Sequence, residues 1–388
     1  MFVCPHPYNH SKAVQDDFNH ANAFFNRRDS QRDRFIHPRR RAARYGGSHR
    51  LSLACRAAER PPEPSRSRIM KPPSIDPSRA RTRKLKALNR SVSKADFAAP
   101  LRAGATMREF FESLPGMLAA RDLLDLARAI ARARRARRPF ILMMGAHPLK
   151  VGLAPLIVAM MRAGTITALA ANGAAAIHDF ELAFAGRTSE DVGAELVSGR
   201  FGMAEETGAF VNEAARIAAR EGLGFGAALG REINRARLKY RAGSIFATAS
   251  AMELPATLHV TLGADIVHMH PRADGAAIGA ASMTDFHRLT GVVAGLARGV
   301  VLNLGSAVVM PEVFLKALNL ARNLGHDVRG FTAADMDFIR QYRPRMNVVE
   351  RPTRGGGRGI VLTGHHELML PLLAAAINEE MARGKRRR

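Results

Sequence analysis

The sequence predicts an α/β protein built on a parallel β-sheet that is covered by helices on both faces. From Pro139 onward, short apolar runs that end in glycine or asparagine alternate with helical patterns. The runs are nearly continuously apolar, which is typical of strands buried on both faces. Hydrophobic residues make up 47% of the chain and aromatic residues 6%, with no tryptophan, which suits a core of small aliphatic side chains.

The predicted elements follow one another in a regular order. Two helices come first, at 107–114 and 118–135. The predicted strands are the runs PFILMMG, TITALAANG, LPATLHVTLG and VVLNLGSAVV, followed by the weaker runs MNVVE and GIVLTG. Between the strands, helical patterns cover 154–162, 203–220, 311–324 and 367–381. The string at 222–226, GLGFG, follows a helix and not a strand, so we expect a helix end and a helix start there instead of a phosphate loop.

The first hundred residues differ from the rest because they are strongly basic and lack apolar periodicity. The formal net charge of the chain is +25, and more than half of that excess lies in this stretch. We expect a disordered basic extension over 1–69, a basic arm over 70–100 and a single domain over 101–384. An RNA-binding arm and a targeting segment are the alternatives for the extension, although nucleic acid is not the expected partner of the domain.

Cysteine usage and hydropathy predict the compartment. The two cysteines, Cys4 and Cys55, both precede the domain, so the domain has no disulfide framework or cysteine-ligated metal. No apolar run reaches the roughly 18 residues that a membrane span needs. We therefore expect a cytoplasmic protein with no membrane segment.

Residues suited to binding a ligand follow the predicted strands. Ligands of a parallel sheet bind beyond the carboxyl ends of its strands. The turns at 145–152, 172–179, 303–307 and 363–367 are rich in small residues, and helices that start there direct N–H groups toward phosphates. The turn Asn172-Gly173-Ala174-Ala175 can hold a ribose or pyrophosphate, but tight packing of a helix on a strand explains the same residues.

Histidines cluster at the same strand ends, together with Asp179, Asp265 and Glu367. The histidines are His147, His178, His259, His268, His270, His365 and His366. In a strand, His268 and His270 would project to one face. Three roles remain open for this set: metal binding, polar contacts with a ligand in a pocket, and structural hydrogen bonding. The sequence has no nucleophile elbow, Walker loop or H-E-x-x-H zinc helix, which disfavours hydrolases, NTPases and metalloproteases of those types.

Several collinear strings between residues 140 and 377 resemble the deoxyhypusine synthase family. These strings are MMGAHPLKVGLAPLI, LAANGAAAIHDFELA, ALGREIN, SIFATASAMELPATLHVTLGAD, NLGSAVV, FTAADMDF and GHHELMLPLLAAA. That family uses NAD to move the aminobutyl group of spermidine onto a lysine of a translation factor. The resemblance implies a Rossmann-like fold, NAD as cofactor and a homo-oligomer, a tetramer by family likeness.

The resemblance also implies roles for individual residues. Those expected to contact the cofactor are Gly145, Asn172, Gly173, Ala174, Ala175, Asp179, Gly305, Ser306, Thr332, Ala333, Asp337 and His365. Asp265, His268 and His366 are expected to be acid/base or amine-binding groups. Lys150, at the pocket edge, is the one candidate for an amine nucleophile.

Departures from the family pattern affect the chemistry. The family attaches the aminobutyl group to a lysine, but this chain has no lysine between Lys316 and Lys385, and ERPTRGGGRG occupies that stretch. Met310-Pro311-Glu312 stands where the family has paired histidines. We therefore expect an NAD-dependent enzyme that acts on a small amine or polar metabolite, and not a genuine deoxyhypusine synthase. A metal-dependent enzyme and a non-catalytic ligand- or RNA-binding protein are the alternatives.

Overall fold

The structure is a computed structural model that describes residues 73–386. The predicted extension over 1–69 lies outside the described residues. The chain divides into two compact units, of which the first ends at Thr82 and the second begins at Arg83. Of the first unit, the structure describes a short 3-10 turn at Pro77–Arg79, which the Asp76 side chain caps.

Helices and strands alternate along the unit that begins at Arg83. The helices are α1 (Met107–Ser113), α2 (Leu118–Arg135), α3 (His147–Lys150), α4 (Ala154–Arg162), α5 (Gly173–Ala185), α6 (Val192–Val197), α7 (Glu205–Glu221), α8 (Phe225–Arg235), α9 (Ile245–Ala251), α10 (Gly275–Ala294), α11 (Val309–Asn323), α12 (Tyr342–Pro344), α13 (Arg351–Thr353) and α14 (His366–Arg386). The strands are β1 (Phe140–Met144), β2 (Ala168–Asn172), β3 (Ala256–His259), β4 (Val300–Leu304), β5 (Thr332–Asp337) and β6 (Arg358–Thr363). Short 3-10 helices lie at Leu85–Ala87, Lys94–Asp96, Arg241–Gly243 and Ile266–Met269, and a π-helix at Arg345–Glu350.

The six strands form one parallel sheet in the order β3-β2-β1-β4-β5-β6. Strands β1, β2 and β3 thus follow one another toward one edge of the sheet. The chain then returns to the other side of β1, where β4, β5 and β6 follow one another toward the opposite edge. This is the strand order of doubly wound dinucleotide-binding sheets, and their ligands bind where the order reverses. Here the reversal lies between β1 and β4, which pair in register from Phe140 with Val300 to Met144 with Leu304.

Both faces of the sheet are covered, which confirms the predicted fold class. On one face Leu142 and Leu302 pack in a cluster with α2 and α14 and with the helices over β2 and β3. On the other face Ile141 and Val301 pack against α10, α11 and the π-helix. The helix α2 forms because its buried residues recur at helical spacing; these are Leu123, Leu126, Ala127 and Ile130.

The predicted strand at MNVVE is wrong. Those residues belong to the π-helix Arg345–Glu350, and the fifth strand is TAADMD, Thr332–Asp337. Asp335 and Asp337 interrupt the apolar pattern of that strand, although both are buried. Asp335 lies within the sheet because its Oδ1 accepts a hydrogen bond from Asn303 Nδ2 at 2.8 Å. A polar pair across two strands cannot be recognised from either strand alone.

The GLGFG string is a helix end and a helix start, as the sequence predicts. Gly222 is the left-handed C-cap of α7, and Gly224 is the N-cap of α8. The ALGREIN string lies within α8 and packs on α9. A Cβ atom at Gly230 would lie 2.1 Å from the Phe246 carbonyl oxygen, so the glycine permits the close crossing of the two helices.

The predicted basic arm over 70–100 is described only from residue 73. From residue 83 it shares the compact unit of the helices and strands. The Ala99 amide donates to the Ser113 carbonyl at 2.9 Å, and the Gly116 amide donates to the Asp96 carbonyl at 3.0 Å. Among residues 73–386, no helix is both long and apolar enough to cross a membrane.

Candidate functional site

Two glycine turns meet at the reversal point of the sheet. Gly145 follows β1, and Gly305 follows β4 with a left-handed φ of 66°. A Cβ atom on Gly145 would lie 2.5 Å from the Gly305 carbonyl oxygen, and one on Gly305 would lie 2.5 Å from His366 Cε1. Both predicted cofactor residues therefore lie at the carboxyl edge, where their lack of a side chain lets the turns approach each other and the His366 ring.

Two histidines form a hydrogen-bonded pair at this point. His147 begins α3, and its Nδ1 lies 2.8 Å from Nδ1 of His366, the first residue of α14. His366 is fully buried, and its Nε2 lies 3.2 Å from the Met336 carbonyl and 3.5 Å from Oδ1 of Asp337. We call Asp337, His366 and His147 the histidine relay. It joins the turn after β1 to the end of β5.

The backbone carbonyl fixes the proton positions in the relay. A carbonyl oxygen can only accept, so His366 Nε2 carries a proton that it donates to Met336. In the neutral ring, His366 Nδ1 is then an acceptor, and His147 Nδ1 must donate to it. His147 Nε2 consequently carries a lone pair. These tautomers are inferred from the hydrogen bonds.

Burial sets the charge of the relay. It lowers the pKa of His147, and the neighbouring His366 lowers it further, while the carboxylates of Glu367 and Asp337 raise it in part. Burial also lowers the pKa of His366. Desolvation raises the pKa of Asp337, with opposing contributions from the Phe338 amide and His147. Both rings are therefore neutral near neutral pH, the state in which a histidine removes a proton.

Phe338 packs against the relay from the end of β5. Its ring centroid lies 5.4 Å from that of His147 and 5.8 Å from that of His366. The exposed His365 stacks on Phe338 at 6.4 Å with an interplanar angle of 12°. Phe338 thus lies between the exposed His365 ring and the histidine pair.

A second feature of the carboxyl edge is a cavity of about 210 Å³ beside β2, which we call the β2 cavity. Lys150, Glu190 and Asp265 line it, together with His178 and Glu181 of α5. His178 Nδ1 lies 2.6 Å from Thr188 Oγ1, whose hydroxyl donates to Glu181. Lys150 ends the short helix that His147 begins, so one helix links the cavity to the relay.

Asp265 and Gly173 are in direct contact at the start of α5. A Cβ atom on Gly173 would lie 2.1 Å from Asp265 Oδ2, and that oxygen accepts from the Thr261 amide at 3.2 Å. Burial raises the pKa of Asp265. Asn172 caps the same helix through Oδ1, which accepts from the Ala175 amide at 3.1 Å. The side chains of Asn172 and Asp265 thus occupy the turn at 172–175, where the sequence predicts a ribose or pyrophosphate. Ala174 of the same turn lines the cavity and is accessible to a ligand.

The structure corrects the expectation for Asp179. Its carboxylate is fully buried and caps α9, where Oδ1 accepts from the Ile245 amide at 2.8 Å and Oδ2 from the Ser244 hydroxyl at 2.5 Å. Burial raises its pKa to about 6, although these hydrogen bonds oppose the shift. Asp179 therefore joins two helices, and its carboxylate oxygens are occupied by the protein's own donors.

Thr332 and Ala333 need the same correction. They begin β5, at the amino end of the strand, whereas the relay lies at the carboxyl end. Ser306 lies at the correct edge but is buried, and its Oγ accepts from the Met310 amide at 3.2 Å. Its side chain thus binds the first turn of α11.

The predicted pairing of His268 with His270 on a strand is wrong, because Ile266–Met269 is a 3-10 helix. The buried His270 ring lies 3.2 Å from Glu205 Oε2. His268 Nδ1 accepts from the Gly263 amide at 3.2 Å, and His268 Nε2 is buried without a hydrogen-bond partner among the described residues. Neither histidine is part of the relay.

The sequence pattern groups His147 with six other histidines and does not distinguish it from them as a site residue. The pattern does not mark Phe338 either. His147 lies in the same turn as Gly145, directly after the strand beside the reversal point. That position is the one feature of the sequence that could have indicated its place in the candidate site. His259 illustrates why histidine spacing alone was insufficient. It also ends a strand, but it is buried against Thr257 Oγ1 at 2.9 Å, and burial lowers its pKa to about 4.

The described part of the chain contains no group of three or more His, Cys, Asp or Glu side chains arranged to hold a metal ion. The fit to a dinucleotide is partial. Gly145 and Ala146 on one side of the reversal, and Gly305 to Ala307 on the other, leave only small side chains at the crevice. The first βα turn lacks a G-x-G-x-x-G fingerprint, and β2 ends in Asn172 where dinucleotide-binding folds have an acidic residue for the ribose.

Comparison with known proteins gives remote structural similarities. No protein-family model matches the chain. No curated protein matches it either. Among solved structures, the chain is similar to ArgZ, an arginine dihydrolase from the ornithine–ammonia cycle in Cyanobacteria (TM-score 0.42, 14% identity, 66% of this chain). It is also similar to AgrE in complex with ornithine and NAD+ (TM-score 0.45, 13% identity, 68% of this chain).

A protein assigned as a deoxyhypusine synthase in Entamoeba histolytica is similar over 70% of this chain and 93% of its own length, with a TM-score of 0.41 and 10% identity. The present chain spans about a third of the length of ArgZ and AgrE, 32% and 34%. With TM-scores below 0.5, these similarities establish neither a shared family nor a shared function.

Proposed function

We propose that this chain is an NAD-dependent enzyme that oxidises a small amine or another small polar metabolite at the carboxyl edge between β1 and β4. The observation that carries the proposal is the histidine relay, in which His147 and His366 are 2.8 Å apart at the reversal point of the sheet. Sheets with this strand order bind dinucleotides at that point. A neutral, partly buried histidine there can take a proton from a substrate.

The relay supplies the proton chemistry in this proposal. His147 Nε2 takes the proton of the substrate's amine or hydroxyl group. His366 Nδ1 accepts the hydrogen bond from His147 Nδ1 and keeps the ring oriented, and the nearby Asp337 stabilises the positive charge that develops on His147. When bound beside Gly145 and Gly305, NAD would supply the hydride acceptor that such an oxidation requires.

The β2 cavity supports a polar, amine-bearing substrate. Its carboxylates, Glu181, Glu190 and Asp265, outnumber its one lysine, Lys150. Carboxylates attract an ammonium group, and a cavity of about 210 Å³ limits the ligand to a small metabolite. Transfer of an aminobutyl group through an enzyme lysine is not part of this proposal, because the chain has no lysine between Lys316 and Lys385.

The test separates cofactor binding from proton transfer. NAD should raise the melting temperature of the wild-type chain in a saturable way, since it binds only the folded state. His147→Gln should keep that shift but lower the rate of NADH formation from a panel of diamines and amino alcohols by roughly 10²- to 10⁴-fold. His326→Gln, the same change at an exposed histidine beyond α11, is the matched control. The absence of any NAD-dependent shift would refute the cofactor assignment, and equal rates in all three proteins would refute the role of His147.

A further inference from the structure

The opposite edge of the sheet carries a second cavity. It has a volume of about 420 Å³ and lies where the chain enters β1, between the ends of α2 and α4 and a residue of α10. Three arginines line it, Arg134, Arg137 and Arg138, together with Gly164 and Thr167. We call it the arginine pocket. It lies at the amino ends of the strands, away from the histidine relay.

The arginines of the pocket form no ion pair with a carboxylate of the described residues. Within residues 73–386, no carboxylate lies within ion-pair distance of Arg134, Arg137 or Arg138, whereas Arg128 on the same helix pairs with Asp125 at 2.8 Å. Arg134 and Arg138 are half-buried, and the Arg134 guanidinium is held by the Ala163 carbonyl. Guanidinium groups that have no carboxylate partner among the described residues remain available to an anionic ligand.

Arg137 occupies a backbone position that favours glycine. It follows the C-cap Ala136 of α2 in the left-handed region, with φ 52°, and its amide donates to the Arg134 carbonyl at 3.1 Å. Glycine is the usual residue there because a side chain in the left-handed region costs conformational energy. The chain instead presents a third arginine side chain to the cavity.

Compensation of helix dipoles explains only part of this charge. α2 and α4 both end beside the pocket, and a helix C-terminus carries about half a negative charge. Two such ends balance about one positive charge, whereas three arginines line the cavity. The remaining excess is about two positive charges, which is the charge that a phosphate or diphosphate group would neutralise.

We propose that the arginine pocket binds a phosphate-type oxyanion carrying at least two negative charges, such as a diphosphate group. Guanidinium groups bind phosphate oxygens through paired N–H donors, and three of them around one cavity can surround such a group. A cavity of about 420 Å³ also has room for more than the anion itself, so the diphosphate can be free or part of a nucleotide. This proposal does not depend on NAD binding at the other edge of the sheet.

A closely matched pair of variants tests the proposal. Arg137→Gly removes one charge and relieves the left-handed backbone. Arg237→Gly makes the same change after α8, where Arg237 also follows an alanine C-cap, has φ 51°, and donates its amide at 3.1 Å to the residue three positions earlier, Asn234. Both variants should melt at a temperature equal to or roughly 2 °C above that of the wild-type chain, which verifies folding.

Binding of inorganic pyrophosphate to the full chain is then measured by calorimetry for the wild type and both variants. We expect Arg137→Gly to weaken binding about tenfold or more and Arg237→Gly to leave it unchanged. The basic first hundred residues are common to all three proteins, so they cannot produce that difference. Parallel titrations of all three proteins with ADP assign the anion to a nucleotide if ADP binds the wild type more tightly than pyrophosphate and Arg137→Gly weakens that binding, and to free diphosphate otherwise. No binding to the wild type, or equal losses in both variants, would overturn the proposal.

Discussion

Asp285 offers a test of how a buried charge affects the stability of this sheet. It belongs to α10 and is fully buried beside the edge strand β3. Its Oδ2 accepts from the Gly226 amide and the Leu258 amide, both at 2.8 Å, and its Oδ1 has no hydrogen-bond partner among the described residues. This one oxygen therefore accepts hydrogen bonds both from the first turn of α8 and from the outer side of β3. Asp285→Asn can keep both hydrogen bonds, because the amide oxygen can take the place of Oδ2.

The size of the effect follows from the pKa. Burial raises the pKa of Asp285 from 3.8 to about 7, against the opposing effects of the Gly226, Leu258 and Phe225 amides and of Arg288. A shift of this size corresponds to roughly 4 kcal/mol between the two protonation states. Because the pKa in the folded state is the higher one, the contribution of Asp285 to stability is complete below its unfolded pKa and is lost as the pH rises through about 7. Between about pH 5 and about pH 8, the loss amounts to roughly 3 kcal/mol.

The assay is urea unfolding of the wild type and of Asp285→Asn at about pH 5 and about pH 8. The asparagine does not ionise, so we expect its advantage in unfolding free energy to be roughly 3 kcal/mol larger at the higher pH. Asp285→Ala is the contrasting variant. It leaves two amides without an acceptor and should destabilise the fold by about 1 to 3 kcal/mol for each. If wild type and Asp285→Asn show parallel pH dependence, the carboxyl group is not desolvated as described.

Two further predictions concern helix packing and the relay. Gly230→Ala should lower the free energy of unfolding in urea by about 1 to 3 kcal/mol, because its Cβ would lie 2.1 Å from the Phe246 carbonyl oxygen. Gly279→Ala is the control: its Cβ would meet no atom within 4 Å, so the change should stabilise the fold by about 0.5 to 1 kcal/mol. Equal effects of the two changes would contradict the close crossing of α8 and α9. In the proposed reaction, kcat/KM should decline on the acid side only below the ordinary histidine range, because burial lowers the pKa of His147. Asp337→Asn should move that decline to still lower pH, because the carboxylate raises the pKa of His147, and an unchanged pH profile would exclude coupling between them.

The sequence was sufficient to predict five of the six strands and the edge of the sheet that carries the candidate site. Near-continuous apolar runs ending at Gly145, Asn172 and Gly305 predicted parallel strands, and the rule for parallel sheets then selected their carboxyl ends. The strand β5 was missed because its alternation includes Asp335, and burial of that carboxyl depends on Asn303 of the neighbouring strand. Local patterns cannot report such a partner.

Individual roles at the edge were harder to predict for the same reason. Asp179 and Asp265 both lie close to strand ends in the sequence, but only Asp265 lines a cavity. Asp179 faces the start of α9, more than sixty residues away along the chain. The role proposed for His147 depends on His366 Nδ1, which lies 2.8 Å away, and that contact joins residues separated by 219 positions. Spacing along the chain places residues on an edge, and tertiary contacts then decide their chemistry.

The two edges of the sheet carry opposite charges, and helix geometry explains part of that asymmetry. In a parallel sheet, helices start at the carboxyl edge and end at the amino edge, so carboxylates are favoured at the first edge and arginines at the second. Asp265 at the start of α5 follows this rule. The exceptions identify function better than the rule does. His147 and His366 are neutral where an anion would be favoured. Arg134 and Arg138 are half-buried, and no carboxylate within residues 73–386 pairs with them, where an exposed cation would have sufficed. A structural requirement alone predicts neither, so these two places are where ligands should be sought.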